Sequence, residues 1–482
     1  METTNARPEK RHRIAAAAAA AAAVPDDVLF SNILVHLPVK SLARLKCVSR
    51  SWLAAVEDPA FVRRHLELSR ARPSAMIVVV PPKDGSISFH RFRQLQVVDT
   101  TTMDDSSEVE LMLERAFPDG VEIDVATHCD GLIAVTTDAG ETFVCNPATK
   151  ELVTLPLGIS CHNGCVVWDR FAAIGYDPWR SRYVVCRYFR RRYPNRTAGA
   201  EIGHEIFVLG GGGGGGSWEA TEDPPPTSAI VPASTPPACI GGCFYWCTNE
   251  DVGNPSMLLR FSLRSHKFDM VPCHPSCSSD VLASNTVSEL DGKLCYTHTA
   301  TETTTTTSRL WMLDGGGDMA RPEWSMRCFI DVGDYVSCVS PLVAAGGEHI
   351  LLSVDENLYV YGERSRVLEK VVNTAEVEYA RSDDGSKYKV GYDLYSQHYY
   401  VPYVESLVSI RLKNRRRATA PSPSGPLHPR SPPLEQLAGK AGSSKNDCGG
   451  APSLLFHPLI APCAYAGCGH RIPVMWQWGS QI

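Results

Sequence analysis

Cysteine is the residue type whose spacing comes closest to a metal site in this sequence. Seventeen cysteines occur in 482 residues, and several lie near one another or near a histidine: Cys161 and Cys165; Cys239, Cys243 and Cys247; Cys273 and Cys277; and Cys463, Cys468 and His470. Structural zinc usually binds tight Cys-x2-Cys knuckles in matched pairs. Within a strand, moreover, Cys243 and Cys247 would stand about 13 Å apart. We therefore predict buried thiols and no metal ligands.

Two further motifs suggest phosphate or metal chemistry but lack the residues that this chemistry needs. A glycine run spans residues 210–216, but Ser-Trp-Glu follows it instead of the Gly-Lys-Ser/Thr of a phosphate-binding loop, so we expect a flexible linker. The His204-Glu205 pair lacks the second histidine of a zincin helix. We assign no catalytic residue, no cofactor-binding residue and no cofactor, and expect no enzyme, although triads can assemble from distant positions.

The bulk composition is that of an ordinary globular chain. Hydrophobic residues make up 44% and charged residues 21% of the sequence, with a formal net charge of -6 and a pI near 6.2. No overall field draws such a chain to nucleic acid or to an anionic membrane, and no stretch has the roughly 18 apolar residues of a membrane span. An odd number of scattered cysteines is a poor disulfide framework, so we expect reduced thiols and a cytoplasmic or nuclear protein with specific protein partners.

The two ends of the chain differ from its middle. Residues 1–23 place basic residues before an alanine run, which imitates a signal peptide, but alanine is weakly apolar and a low-complexity tail is expected. Residues 411–482 begin with a Pro-, Ser- and Arg-rich stretch that is too poor in apolar residues to fold. We expect a largely disordered tail, and assign no role to its apolar end, residues 451–482.

Residues 24–70 should form a small bundle of short helices. The first helix is expected to begin at Pro25 and to end before Pro38, because the residue before a proline avoids the helical region. A later helix can be capped by Ser49, and Asp58-Pro59 opens the last one. The apolar positions of the bundle are Leu29, Ile33, Leu34, Leu37, Leu42, Leu45, Val48, Trp52 and Phe61. Because so few residues make only a marginal core, we expect a partner to complete this apolar surface.

The sequence from Val24 to Leu66 resembles an F-box, in the form found in plants. The resemblance rests on VPDDVLFSNILVHLPVKSLARLKCVSRSWLAAVEDPAFVRRHL. It implies docking on a Skp-type adaptor, which joins a cullin and a RING subunit in a ubiquitin ligase. It also implies that eight residues contact the adaptor or support the contacting helices: Pro25, Leu29, Ile33, Leu34, Leu37, Pro38, Leu42 and Val48. Leu45, Trp52 and Phe61 are expected inside the F-box. A helical cap with a self-sufficient core is the alternative.

From residue 75 to about 410, the chain consists of short β-rich runs separated by turn residues such as Asp130-Gly131 and Asn146-Pro147. Strands without intervening helices indicate an all-β domain, with Tyr245, Trp246, Trp311 and Trp324 as strand core. A loose repeat at intervals of roughly 40 to 50 residues is the blade length of β-propellers. We predict a propeller-like domain of six or seven blades behind the small helical module, with stacked sandwiches as the alternative.

The order of several phrases in this region resembles plant F-box-associated domains, which are kelch-like: HCDGLIAV, FVCNPATKELVTLP, AAIGYDPWRSRYVVCRYF, GGCFYWC and LDGKLCY. The glycine run and TETTTTTS, residues 301–308, depart from the family and are expected to be lengthened loops. The resemblance implies a domain that receives a protein substrate. Two functions stay open: the substrate-recognition subunit of an SCF-type (Skp–cullin–F-box) ubiquitin ligase, and a non-degradative propeller scaffold or ligand-binding protein.

Overall fold

The computed structural model describes residues 28–80, 85–92, 109–117, 123–137, 140–158, 166–192, 201–210, 216–222, 236–248, 256–274, 283–302, 305–313, 319–333, 336–355, 357–390 and 397–410. Some positions considered above fall outside the described residues: Pro25, Cys161, Cys165, Cys277, Cys463, Cys468, His470, most of the glycine run, and the segments 1–23 and 411–482.

Short helical segments come first in the described chain. Leu29–Ile33 is a π-helical turn and Leu34–His36 a 3-10 turn, so the first helix is irregular but ends before Pro38, as predicted. Three α-helices follow: α1 (Val39–Leu45), α2 (Arg50–Val56) and α3 (Pro59–Arg70). Val48, one of the apolar positions listed for the bundle, lies in the turn after α1. None of the described helices has the length and apolarity that crossing a membrane requires.

The strands of the described chain form six four-stranded antiparallel sheets, the blades of a propeller, and one two-stranded hairpin. Blade 1 contains β1 (Ser74–Val80), β2 (Ser86–Phe92), β3 (Val109–Ala116) and β26 (Gln397–Tyr403); blade 2 contains β4 (Ile123–Cys129), β5 (Leu132–Thr137), β6 (Thr142–Asn146) and β7 (Glu151–Thr154); blade 3 contains β8 (Val166–Asp177), β9 (Arg182–Arg192), β10 (Glu201–Val208) and β11 (Glu219–Ala220). Blade 4 contains β12 (Ala238–Ile240), β13 (Cys243–Cys247), β14 (Met257–Ser262) and β15 (Lys267–Pro272); blade 5 contains β16 (Ala283–Leu290), β17 (Lys293–Glu302), β18 (Thr305–Leu313) and β19 (Trp324–Gly333); blade 6 contains β20 (Val339–Ala345), β21 (His349–Val354), β22 (Asn357–Gly362) and β23 (Leu368–Asn373). The hairpin is β24 (Tyr379–Ala380) and β25 (Lys387–Tyr388).

Blade 1 closes the ring with strands from both ends of the described chain. β26 pairs with β1 in one unbroken register, from Ser74 opposite Tyr403 to Val80 opposite Gln397. β26 is therefore the innermost strand of blade 1, in the place that β4, β8, β12, β16 and β20 take in the other blades. The prediction of a propeller is confirmed, with six blades.

The hydrophobic core lies between neighbouring blades because alternate residues of a strand point to opposite faces of its sheet. In β13, Phe244 and Trp246 pack in a cluster shared with blade 3, whereas Cys243, Tyr245 and Cys247 pack in a cluster shared with blade 5. The strand-core roles predicted for Tyr245, Trp246 and Trp311 are thus found; Trp324 is partly buried against the same cluster.

One loop prediction was wrong. The TETTTTTS stretch is largely strand: β17 runs to Glu302, β18 begins at Thr305, and Thr301 pairs with Thr306. The β-branched threonine side chain suits a pleated strand, so a polar run that reads as a loop instead extends a hairpin of blade 5.

Candidate functional site

The helical module, residues 28–70, has a small core that includes a residue from the far end of the chain. Leu34, Val39, Leu42 and Val56 are buried together with Leu407. Burying one leucine stabilises a fold by roughly 1.5–3 kcal/mol, which is a large part of the stability that so small a core can provide. The module therefore depends on the propeller chain for its own packing.

Side-chain caps begin two of its helices, as the sequence predicted. The Ser49 hydroxyl accepts a hydrogen bond from the Trp52 backbone N–H at 3.2 Å at the start of α2. The Asp58 carboxylate accepts from the backbone N–H groups of Ala60 at 2.8 Å and Phe61 at 3.3 Å, ahead of Pro59 at the first position of α3. These caps satisfy N–H groups that have no partner inside a helix.

Leu45, Trp52 and Phe61, the residues expected inside the F-box, are half-buried and pack against this core. The Phe30 ring joins two of them: it meets Trp52 edge-on at a centroid distance of 5.3 Å and Phe61 at 6.1 Å. Such aromatic pairs stabilise by about 0.5–1.5 kcal/mol beyond their buried area.

The residues expected to face an adaptor divide into two groups. Leu34 and Leu42 are buried within the chain, so they can only support the contacting helices. Leu29 and Leu37 are half-buried, while Ile33, Pro38 and Val48 are exposed. Contact with an adaptor stays a prediction for these five residues and for Pro25, which lies outside the described residues.

Four large hydrophobic side chains are exposed on the module, and we call them the exposed apolar set: Val28, Ile33, Val48 and Leu53. Val48 is 61% exposed and Ile33 47%. In the described part of the chain, the other exposed large hydrophobics are spread over the propeller, at Leu157, Trp179, Met326, Phe329 and Val367. Exposed apolar side chains concentrated in one small module make its surface a candidate interaction site.

Charged residues of the module lie close to Val48 in the sequence. Arg44 and Arg50 are exposed, and the Lys46 ammonium pairs with Glu57 at 3.3 Å. Exposed charges at the rim of an interface steer encounter with a partner of opposite charge more than they add affinity.

Glu405 connects the module to blade 1. Its carboxylate accepts a hydrogen bond from the Val39 backbone N–H at 2.9 Å, at the start of α1, and from Arg91 at 3.0 Å. Arg91 also donates to Glu110 at 2.8 Å. These contacts are partly buried, so they are weakly screened and fix the start of α1 on the propeller.

A second connection joins α3 to blade 2. The Arg70 guanidinium donates to Asp130 at 2.7 and 3.1 Å, and the Tyr183 hydroxyl donates to the same carboxylate at 3.0 Å. Burial raises the pKa of Tyr183, and the Asp130 charge adds to that rise, so the phenol stays protonated as a donor. Asp130 stands on the turn from β4 to β5, which places the module on that face of the ring.

Sequence reasoning missed the segment that follows β26, residues 404–410, which we call the closing segment. The Asn146 side-chain amide donates to the Ser406 and Val408 carbonyls at 3.0 and 2.8 Å. The Glu151 carboxylate accepts from the Ile410 backbone N–H at 2.9 Å. Asn146 had been interpreted only as a turn residue; its complete burial is what the sequence did not reveal.

His65 fastens α3 to the start of the module. Its Nε2 lies 3.0 Å from the Leu37 carbonyl oxygen. Burial lowers the pKa of His65, and the Leu37 carbonyl only partly opposes this. The neutral ring therefore donates its Nε2–H to Leu37, which holds the backbone next to the exposed Pro38.

Two cavities are relevant to ligand binding. One of about 40 Å³ lies on the propeller axis, lined by residues of β4, β12, β16, β20 and β26, and holds little more than water. On its wall, burial lowers the pKa of His128 to about 4, and burial together with Asp130 raises the pKa of Glu289. A cleft of about 740 Å³ lies between the module and blades 1 and 6, and Arg91 and Glu405, which attach the module to blade 1, are part of its lining.

Within the described residues, no three His, Cys, Asp or Glu side chains are placed to share a metal ion. The described cysteines are free thiols, and burial raises the pKa of several of them, including Cys145 and Cys247. Such thiols are poor nucleophiles and ligands because the reactive form is the thiolate. The absence of catalytic, cofactor and metal residues stays a prediction.

Comparison with known proteins gives two family matches: an F-box domain over residues 25–64 and an F-box associated beta propeller domain over residues 84–361. The F-box protein At1g30790 of Arabidopsis thaliana is 26% identical over 63% of this chain and 74% of its own length. The putative F-box protein At1g47765 of the same plant is 26% identical over 53% and 59%, respectively. The F-box/kelch-repeat protein At3g17530 is 35% identical over 27% of this chain and 32% of its own length.

Solved structures show weaker likeness. YCF48 from Cyanidioschyzon merolae is 12% identical over 62% of this chain and 85% of its own length, with a TM-score of 0.33. The propeller match spans more than half of the chain and lies after the F-box match along the sequence. The exposed apolar set lies in the F-box, and the six blades lie behind it. The chain therefore belongs to the F-box proteins that carry an F-box associated β-propeller domain.

Proposed function

We propose that this chain is the substrate-recognition subunit of an SCF-type ubiquitin ligase, in the cytoplasm or the nucleus. The exposed apolar set carries the proposal, because four large hydrophobic side chains are left to solvent on a module too small to bury them. A Skp-type adaptor would cover this surface and bring the cullin and RING subunits. The propeller would hold the protein to be ubiquitylated.

In this role the chain performs no bond chemistry. It raises the effective concentration of target lysines near a charged conjugating enzyme, which is a gain of proximity. The ties through Glu405 and Arg70 support the role, because a module fixed to the propeller keeps the target at a constant distance from the adaptor.

Co-purification of the full chain with a Skp-type adaptor tests the docking surface. Ile33→Asp and Val48→Asp place a charge in the exposed apolar set and should lower adaptor capture at least about tenfold, since an unpaired charge buried in an interface costs several kcal/mol. Val367→Asp is the matched control, because Val367 on blade 6 is also 47% exposed. Adaptor capture unaffected by Ile33→Asp and Val48→Asp would refute the proposal.

Proteasome inhibition separates a receptor from a non-degradative scaffold. Proteins captured by the wild-type chain should accumulate when the proteasome is inhibited. In cells that express the Ile33→Asp variant, the same proteins should already be abundant, and proteasome inhibition should change their abundance little. Equal abundance in wild-type and variant cells would favour the scaffold.

A further inference from the structure

An exposed tryptophan stands on the turn that joins β8 to β9. Trp179 is 46% exposed, although tryptophan is on average a highly buried residue. The turn corresponds to the β4–β5 turn of blade 2, whose Asp130 contacts the helical module. Trp179 therefore lies on the same face of the ring as the module, but in blade 3.

The backbone around Trp179 is held rigidly. The buried Asp177 carboxylate accepts hydrogen bonds from the backbone N–H of Trp179 at 3.1 Å and of Arg180 at 3.2 Å. The Arg180 guanidinium donates to Asp177 at 3.1 Å and to the Leu263 carbonyl of blade 4 at 2.9 Å. These hydrogen bonds thus hold the β8–β9 turn against blade 4 before any ligand binds.

The indole ring rests directly on the backbone of blade 4. Gly242, at φ +74°, leaves the space: a Cβ there would fall on Trp179 Cζ3 and lie 2.7 Å from Pro178 Cδ. Because the ring is fixed by this contact, binding through its exposed part costs little conformational entropy.

Arginine side chains lie at this turn and beside its tryptophan. The Arg264 guanidinium carbon lies 5.8 Å from the Trp179 ring centroid, and no carboxylate of the described residues pairs with Arg264. Arg180 and Arg182 share the single carboxylate of Asp177. These four charged groups have an excess of two positive charges.

We propose that the surface of Trp179, Arg180 and Arg264, the Trp179 surface, binds an acidic segment of a polypeptide that also carries an aromatic or other apolar side chain. Tryptophan and arginine are the residues that dominate binding energy in protein interfaces, and a local positive charge selects acidic sequence. Nucleic acid is disfavoured because the whole chain carries a net charge of -6. The inference rests on the proposed receptor role, for which it names the class of target.

Fluorescence anisotropy with the full chain tests it. The probe is a labelled random copolymer of glutamate and tyrosine, with a lysine–tyrosine copolymer and single-stranded DNA as the other arms. Trp179→Ala and Arg264→Glu should each weaken binding of the glutamate–tyrosine probe about tenfold or more. The matched control is Phe329→Ala with Arg309→Glu, since Arg309 lies 5.9 Å over the exposed Phe329 ring on blade 5.

Selective binding of the glutamate–tyrosine probe that is lost in both Trp179 surface variants and kept in the control supports the proposal. Binding equal in all variants, no binding of this probe, or tighter binding of DNA that Trp179→Ala abolishes would each overturn it. Adaptor capture by the same variants should be unchanged. A failed Trp179 surface and a failed receptor role are therefore distinguished, because the second appears in adaptor capture and the first in probe binding.

Discussion

At the scale of single residues, Glu405 joins the Val39 backbone N–H and the Arg91 guanidinium, two donors that have little access to solvent. Glu405→Ala leaves both without this acceptor and should lower the free energy of unfolding by about 1–3 kcal/mol. Urea denaturation of the wild type and the variant measures this difference in the free energy of unfolding. Glu348→Ala is the control, because Glu348 pairs with an Arg364 side chain that is 82% exposed, and such surface pairs contribute at most about 1 kcal/mol. Equal losses in the two variants would contradict the assignment.

Two histidines in blade 1 make the fold sensitive to acid. His90 and His398 lie on strands that flank β1, opposite Ile77 and Val79, and His398 has no hydrogen-bond partner for either ring nitrogen in the described residues. Burial lowers the pKa of His90 to about 3, with help from His398, and burial lowers that of His398 to about 4. Below pH 6.5, the ordinary pKa of histidine, these side chains therefore bind protons in the unfolded chain but stay neutral in the folded chain.

Stability should consequently be constant with respect to these groups above pH 6.5 and fall as the pH drops from 6.5 towards 4. Each histidine contributes a slope of at most about 1.4 kcal/mol per pH unit. Between pH 6.5 and 4, the free energy of unfolding should change less with pH in His398→Gln than in the wild type. The exposed His36→Gln should keep the wild-type pH dependence. An unaltered slope in His398→Gln would contradict the buried, neutral state.

At the scale of elements, two Asp-Gly turns offer a matched comparison. Gly131 and Gly292 have φ of +81° and +73° in equivalent turns of blades 2 and 5. A Cβ on Gly131 would fall on the Val404 carbonyl and lie 2.8 Å from the Ser406 Cβ, whereas a Cβ on Gly292 meets nothing within 4 Å. Gly292→Ala should lower the free energy of unfolding by only about 1–2 kcal/mol, because a residue with a Cβ is strained in the left-handed backbone conformation.

Gly131→Ala should cost about 2 kcal/mol more than Gly292→Ala, because it also displaces the closing segment from the turn. Thermal unfolding of both variants measures the difference. Similar midpoints would show that the closing segment is not held against this turn.

The same elements show how far the sequence could be interpreted. The helix caps at Ser49 and Asp58, the stop before Pro38 and the β13 core pattern were all predictable, because each follows from a local spacing rule. The closing segment was not predictable, since its contacts join residues more than 250 positions apart: Ser406 with Asn146, Ile410 with Glu151, and Leu407 with the core of the helical module. The loop prediction for Thr301–Ser308 was wrong for a different reason. The polar residues were interpreted as a loop, whereas the β-branched side chain of threonine favours a strand.

At the scale of the whole molecule, the repeat length predicted a propeller but left the blade number open, because the count depends on which strand closes the ring. That strand, β26, is set by pairing with β1 and not by any local feature of its sequence. For the Trp179 surface, likewise, the sequence shows a Pro-Trp-Arg turn, but exposure depends on the neighbouring blade.

Removing β26 should open the ring. A chain that ends at residue 396 lacks the innermost strand of blade 1 and the closing segment, and should lose its cooperative thermal transition and become sensitive to protease. A chain that ends at residue 412 keeps both and should melt like the full chain. Circular dichroism and limited proteolysis compare the two. A cooperative melt of the shorter chain would contradict closure by β26.

The position of Leu407 in the helical core has a consequence for biosynthesis. Residues 28–70 leave the ribosome early, but the leucine that completes their packing is made more than 300 residues later. A nascent chain carries an unfinished F-box until its last blade has been translated and joined. If the chain acts in the proposed ligase, capture by the adaptor would then favour chains whose translation is complete over chains released early.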